Sequence, residues 1–310
     1  MMKTMISKSL LLICAGLLVA TPAHAGRLIG GPKTVTLDAS DQVPGNTSVV
    51  SAQMPTGRYV KGVTQVAVPV VAIAFESRAM GSATSSFIGR NQSLEARLSG
   101  IDDDALQAIA DQAQDIVEAD LRAQGFELLP RDAVDQEPRY AGIAKNGVAH
   151  EETKDDFASG FGGNGIFNRW FTAGNRPFFG TGMRGVFSDH SALVHLARDT
   201  GKTVVLYRFK VQFTDIDAKG GLAFSHLKGK ASLHMVVADA AVFTPANTMG
   251  AMLQLDANLS SGVDFVSEMG SQGRGDNDIV ADPAAYQDGS LKLIKAVSRQ
   301  FAATIKQGQK

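Results

Sequence analysis

The segment from Gln65 to Phe75 is apolar at almost every position, so neither face is left for water. A strand on a half-exposed sheet alternates polar and apolar residues, whereas a run without alternation suits a strand covered by helices on both sides. Pro69 lacks an N–H, which a strand tolerates near its start or at a bulge. The segment therefore predicts a sheet packed between helices.

The flanking patterns extend that expectation. Asp102, Asp103 and Asp104 open a helix in which Leu106, Ile109, Ala110, Ala113, Val117 and Leu121 recur at helical spacing, with Gly125 as its stop. Phe126 to Leu129 returns as a short strand, giving a strand–helix–strand unit. A second helix, capped by Ser188, carries Leu193, Leu196 and Ala197 on one face and ends at Gly201. The strand Thr203 to Phe213 follows. It is apolar at first, then sets Arg208, Lys210 and Gln212 against Tyr207, Phe209, Val211 and Phe213, which predicts two buried faces at its start and one wet face at its end. Lys230 to Phe243 and Ala251 to Leu259 read as an antiparallel hairpin. Leu291, Ile294, Val297, Phe301 and Ile305 form the stripe of a final helix that docks on the sheet.

The expected class is α/β, with α+β as the alternative: a mixed sheet of about five strands packed by three helices. Residues 65–310 form a single domain with an insertion over about 142–187; residues 80–100 read as a polar link, and residues 26–64, rich in Gly, Pro, Ser and Thr, as an irregular, flexible arm.

Residues 1–25 have the layout of a bacterial signal peptide: Lys3 and Lys8, an uncharged stretch from Leu10 to Ala20, and Ala23 and Ala25 before the cleavage point. The stretch is shorter than the roughly 20 residues that span a bilayer. Cys14 is the only cysteine, lies inside the leader, and follows Ile13 rather than the small residue that lipidation favours. Cleavage after Ala25 leaves no thiol, hence no disulfide, and 28 basic against 31 acidic side chains. The expected location is the periplasm, in association with the outer membrane or as a secreted protein. With no basic block to displace counterions, a nucleic-acid partner is not expected.

One segment breaks the pattern. Residues 157–187 hold eight of the 21 aromatic residues and eight glycines. The triplets Gly160, Gly162, Gly165 and Gly180, Gly182, Gly185 have dinucleotide-site spacing but lack the strand before and helix after that the chemistry requires, so no cofactor is expected. The rings either pack a long loop onto the core or form a contact surface for a partner or a membrane. The contact reading selects Phe167, Trp170, Phe171, Phe178 and Phe179 around the turn-like residues Ala173, Gly174 and Asn175.

The catalytic candidates are weak. Ser225 and Lys228 match a Ser-x-x-Lys pattern away from any helix start, and His150 with Glu151 begins a zinc-protease pattern that Lys154 breaks. His190 and His195 are about 140° apart on a helix, too far for one metal. Glu151, Glu152, Asp155 and Asp156 lack the glycine turn of a calcium loop, and Arg274-Gly275-Asp276 matches an adhesion tripeptide. No catalytic, cofactor or metal residue is assigned; a hydrolase using some of His150, His190, His195, His226 and His234 is the alternative class.

The strand Val66 to Phe75, the helix Asp102 to Gln124 closing through Gly125-Phe126-Glu127-Leu128-Leu129-Pro130-Arg131-Asp132, and the helix-to-strand step Ala192 to Leu206 resemble the curli-secretion lipoprotein family and TolB amino-terminal-type domains. The resemblance covers about half the chain. It implies a periplasmic α/β protein that acts in envelope assembly, secretion or surface organisation, often as an oligomer and without catalysis. The family's lipidation cysteine has no counterpart here, and pore formation is not carried over.

Overall fold

The structure is a computed structural model that describes residues 34–46, 48–52, 60–85, 90–144, 150–155, 165–177, 183–219, 226–246, 250–270 and 276–309. The expected leader, Cys14, Phe178, Phe179, Gly160, Gly162, Gly180, Gly182, Ser225, Asp156 and Arg274-Gly275 lie outside the described residues.

The strands are β1 (Thr34–Thr36), β2 (Val50–Ala52), β3 (Gln65–Ala67), β4 (Val71–Ser85), β5 (Arg90–Ser99), β6 (Glu127–Leu128), β7 (His150–Asp155), β8 (Gly165–Thr172), β9 (Thr203–Lys219), β10 (His226–Phe243), β11 (Ala251–Leu255), β12 (Asn258–Ser260), β13 (Val266–Met269) and β14 (Asp276–Ala281). The helices are α1 (Asp103–Ala123), α2 (Arg131–Asp135), α3 (Pro138–Ala144), α4 (Met183–Thr200) and α5 (Pro283–Gln307). The mixed α/β class holds, but the expected five strands and three helices become fourteen strands of one sheet and five helices among the described residues.

At the centre, β3 and β4 run parallel to β9, with Ala67 beside Val204 and Val71 beside Tyr207. Four steps on one chain thus oppose three on the other, and Pro69 sits in the resulting bulge, where its missing N–H costs no ladder bond. On the other edge, β3 pairs with β6 and β4 with β8. Because β6 and β9 flank β3, both helix-to-strand units share one sheet.

Alternation along β9 divides the core in two. Val205, Tyr207, Phe209, Val211 and Phe213 join the cluster built with α1 and α5, while Val204 and Leu206 meet Leu193, Leu196 and Ala197 of α4, Val134 of α2 and Tyr140 of α3. Gly289 brings α5 close to β10: a Cβ there would lie 2.5 Å from a Leu233 methyl. The helix ends follow from their caps. Asp102 Oδ1 accepts the Ala105 N–H and Asp282 Oδ1 the Ala285 N–H, each at 2.8 Å. Asp102→Ala and Asp282→Ala should each lower the unfolding free energy by about 1 kcal/mol in urea titrations.

Several sequence expectations need correction. The 80–100 link is strand, because Leu94, Ala96 and Leu98 alternate with Glu95 and Arg97 and pair against β4 and β14. The insertion is not a structureless loop: β8 enters the sheet beside β4, and β7 pairs with β8. Helix α4 begins at Met183 rather than at Ser188; a helix tolerates Gly185 at a cost of about 1 kcal/mol when later turns pack well. The arm contributes β1 and β2, and Leu37, Val43 and Val49 are buried in the core, so its described part is anchored. Lys210 and Gln212 are only 6% and 5% exposed, so the second half of the segment Thr203 to Phe213 lacks the wet face its alternation suggested.

Candidate binding site

Strand direction places the site. Because β5, β8 and β10 run antiparallel to the β4 and β9 they pair with, the strand ends Ser85 and Arg90, Lys219 and His226, and Asp155 and Gly165 all gather at one end of the sheet. There the sheet runs out into two-stranded ribbons. Among the described residues, β9 beyond Thr214 pairs only with β10, and β4 beyond Met80 only with β5. Two register shifts in β10, between Ala231 and His234 and between His234 and Val237, mark where the longer ribbon leaves the body. Bulges of this kind bend a strand and sharpen its twist.

In the β9–β10 register Asp215 stands opposite Lys230 and Asp217 opposite Lys228. Asp215 and Lys230 are exposed. A two-stranded ribbon alone is at best marginally stable in water, and its outer edges carry N–H and C=O groups with no ladder partner among the described residues.

At the ribbon's root β4 and β9 part, and the sheet carries a buried polar patch. Glu76, Asn168, Lys210, Gln212, Thr214 and His234 are all buried. Glu76 is 1% exposed; its Oε2 accepts the backbone N–H of Phe213 at 3.0 Å, just past the last β4–β9 pair, Phe75 and Val211. Among the described residues, its Oε1, Gln212 Oε1 and Thr214 Oγ1 have no hydrogen-bond partner. Removal from water pushes the Glu76 carboxyl up to about 7, against the opposing pull of Lys210 and the Phe213 and Thr214 N–H groups. On β10, His234 Nδ1 lies 2.8 Å from the Ser232 carbonyl oxygen.

The aromatic residues singled out by the sequence stand on β8, and they divide between its two faces. Phe171 is 2% exposed and meets the edge of Phe75 at a centroid distance of 5.9 Å. Trp170 packs against the α4-side cluster, and its indole N–H donates to Thr153 Oγ1 at 3.0 Å. Phe167 is half-buried, with the Arg78 guanidinium 3.6 Å from its ring centre. The turn expected at Ala173–Asn175 is present, with Gly174 at φ 64° and Asn175 at φ 52°. Trp170 and Phe171 are therefore sheet residues rather than the tip of a loop.

The five histidines of the hydrolase alternative are spread over three elements: His150 on β7, His190 and His195 on α4, His226 and His234 on β10. Among the described residues no group of three or more His, Cys, Asp and Glu could hold a metal ion, and no helix is long and apolar enough to cross a membrane. Sequence reasoning overlooked Glu76, although a charge directly after an apolar strand was a readable signal.

Fold and site together define a mixed α/β protein whose sheet extends into strand ribbons at one end. No family model, no curated protein and no solved structure matches the chain.

Proposed function

We propose that this chain is a binding and assembly protein of the bacterial envelope, exported to the periplasm or the outer-membrane surface, that acts by contact rather than by catalysis and associates with further copies of itself. The observation that carries this reading is the β9–β10 ribbon, whose two edges extend past the helix-covered body. Unpaired strand edges are templates for another chain. Self-association is favoured by the exposed pair at the root of the ribbon: Asp215 on β9 stands opposite Lys230 on β10, so β10 of a second copy laid along the outer edge of β9 would bring a basic position beside an acidic one. The leader-like residues 1–25 and the resemblance to the curli-secretion lipoprotein family point to the same compartment and role.

The test is a trimmed variant in which residues 215–230 are replaced by Asn-Gly, joining Thr214 to Ala231, which face each other in the register. On cell fractionation the unaltered chain should stay with the envelope and the trimmed chain should move to the soluble fraction. If both partition alike, the ribbon does not provide the attachment.

A further inference from the structure

We infer that the arm, residues 34–52, is an exchangeable strand pair that closes the β11–β12 edge of its own chain and, at high local concentration, the same edge of a second copy. The exchange needs only the arm and this edge, and it stands whether or not the β9–β10 ribbon associates.

The edge is shaped for an occupant. β11 and β12 each pair with β10 on one side and with the arm on the other. β1 runs parallel to β12, with Val35 beside Leu259, and β2 runs antiparallel to β11, with Ser51 beside Gln254. The Leu37 N–H continues the ladder to the Ser260 carbonyl at 2.9 Å, and the Val49 carbonyl accepts the Asp256 N–H at 2.8 Å. Among the described residues β1 and β2 have no further strand partner, so the arm is the outermost layer over these backbone groups. Side chains fix its register. Asn258 Nδ2 donates to Thr34 Oγ1 at 3.1 Å, Gln300 Oε1 on α5 accepts the Val49 N–H at 2.9 Å, and Leu37, Val43 and Val49 plug into the core.

The arm also holds its own shape. Asp38 Oδ1 accepts the N–H groups of Ser40 and Gln42 at 2.8 and 3.0 Å, and the Asp38 N–H donates to the Gln42 carbonyl at 3.0 Å. These bonds lie within the arm, so the turn after β1 travels with it. Each contact between arm and body joins two parts of one sequence, so a second copy offers the identical edge and the identical plugs. The chain from Ala52 to Val60 reaches at most roughly 28 Å when extended, which sets how near that copy must be. In its own chain the tether holds the arm at an effective concentration on the order of millimolar, so the exchanged pair is the minor form in dilute solution and grows where copies are crowded.

Single cysteines trap the exchange, because the chain from Gly26 onward has no thiol of its own. Thr36 and Ser260 are register partners on adjacent strands, a spacing of about 4.8 Å that a disulfide accepts. Thr36→Cys is mixed with a differently tagged Ser260→Cys at about millimolar chain, with oxidised glutathione taking up the two electrons released by each disulfide formed. On a non-reducing gel the heterodimer should exceed, by about tenfold or more, that from Thr36→Cys mixed with Gln112→Cys, an exposed position on α1. An equal or lower yield would overturn the exchange. Hydrogen exchange on the unaltered chain needs no variant: the Leu37 and Asp256 amides should open together and ahead of the amides in the middle of α5. If they exchange only when α5 does, the arm leaves no sooner than the whole fold, and the inference fails.

Discussion

Phe301→Ala should lower the unfolding free energy by about 3–5 kcal/mol in urea titrations, near the upper end for removal of a buried ring. Phe301 is fully buried on α5, and its ring centre lies 6.1 Å from that of Tyr207 on β9, which in turn stacks on Phe209 at 6.1 Å. These three rings join the last helix to the central strand. The cavity left by alanine would be lined by residues fixed in the sheet ladder and cannot close by moving a loop. A loss under 1 kcal/mol would mean that α5 does not pack on β9 in this way.

Phe171→Ser should cost about 3 kcal/mol or more, because it removes a buried ring and leaves a hydroxyl among the side chains around Phe75. Trp170→Ser should cost less, since Trp170 is only half-buried and part of its energy lies in one indole hydrogen bond to Thr153. The comparison separates the two roles first considered for the aromatic segment. A contact-surface Phe171 would leave thermal stability unchanged and abolish association; a core Phe171 does the reverse for stability. Thermal unfolding followed by near-UV circular dichroism distinguishes them.

Where the signal was local, the fold was legible from the residues. The run through Val66 and Phe75 announced a strand buried on both faces, and both its clusters are present, because burial on two sides forbids alternation. Asp102 and Gly125 bracketed α1 because capping chemistry acts over a single turn. The stripe from Leu291 to Ile305 located α5 for the same reason of short-range periodicity.

What escaped was non-local. β8 was obscured because glycines and rings hide its alternation, and its place in the sheet comes from β4, about ninety residues away, with Ala74 opposite Trp170. β5 had a readable alternation at Leu94, Ala96 and Leu98, but polar neighbours outweighed it. For Lys210 and Gln212, alternation identified a shared face correctly and said nothing of what stands opposite; Glu76 and Asn168, buried neighbours across β4 and β8, belong to that face. The candidate site was therefore the least legible part, since it arises where strands distant in sequence meet and then separate.

The most direct test of the central claim is the solution mass of the chain from Gly26 onward, measured by light scattering beside the variant that lacks residues 215–230. The ribbon account predicts a multiple of the monomer mass for the unaltered chain and a folded monomer for the trimmed one. A monomer in both cases, at every concentration tested, would contradict it.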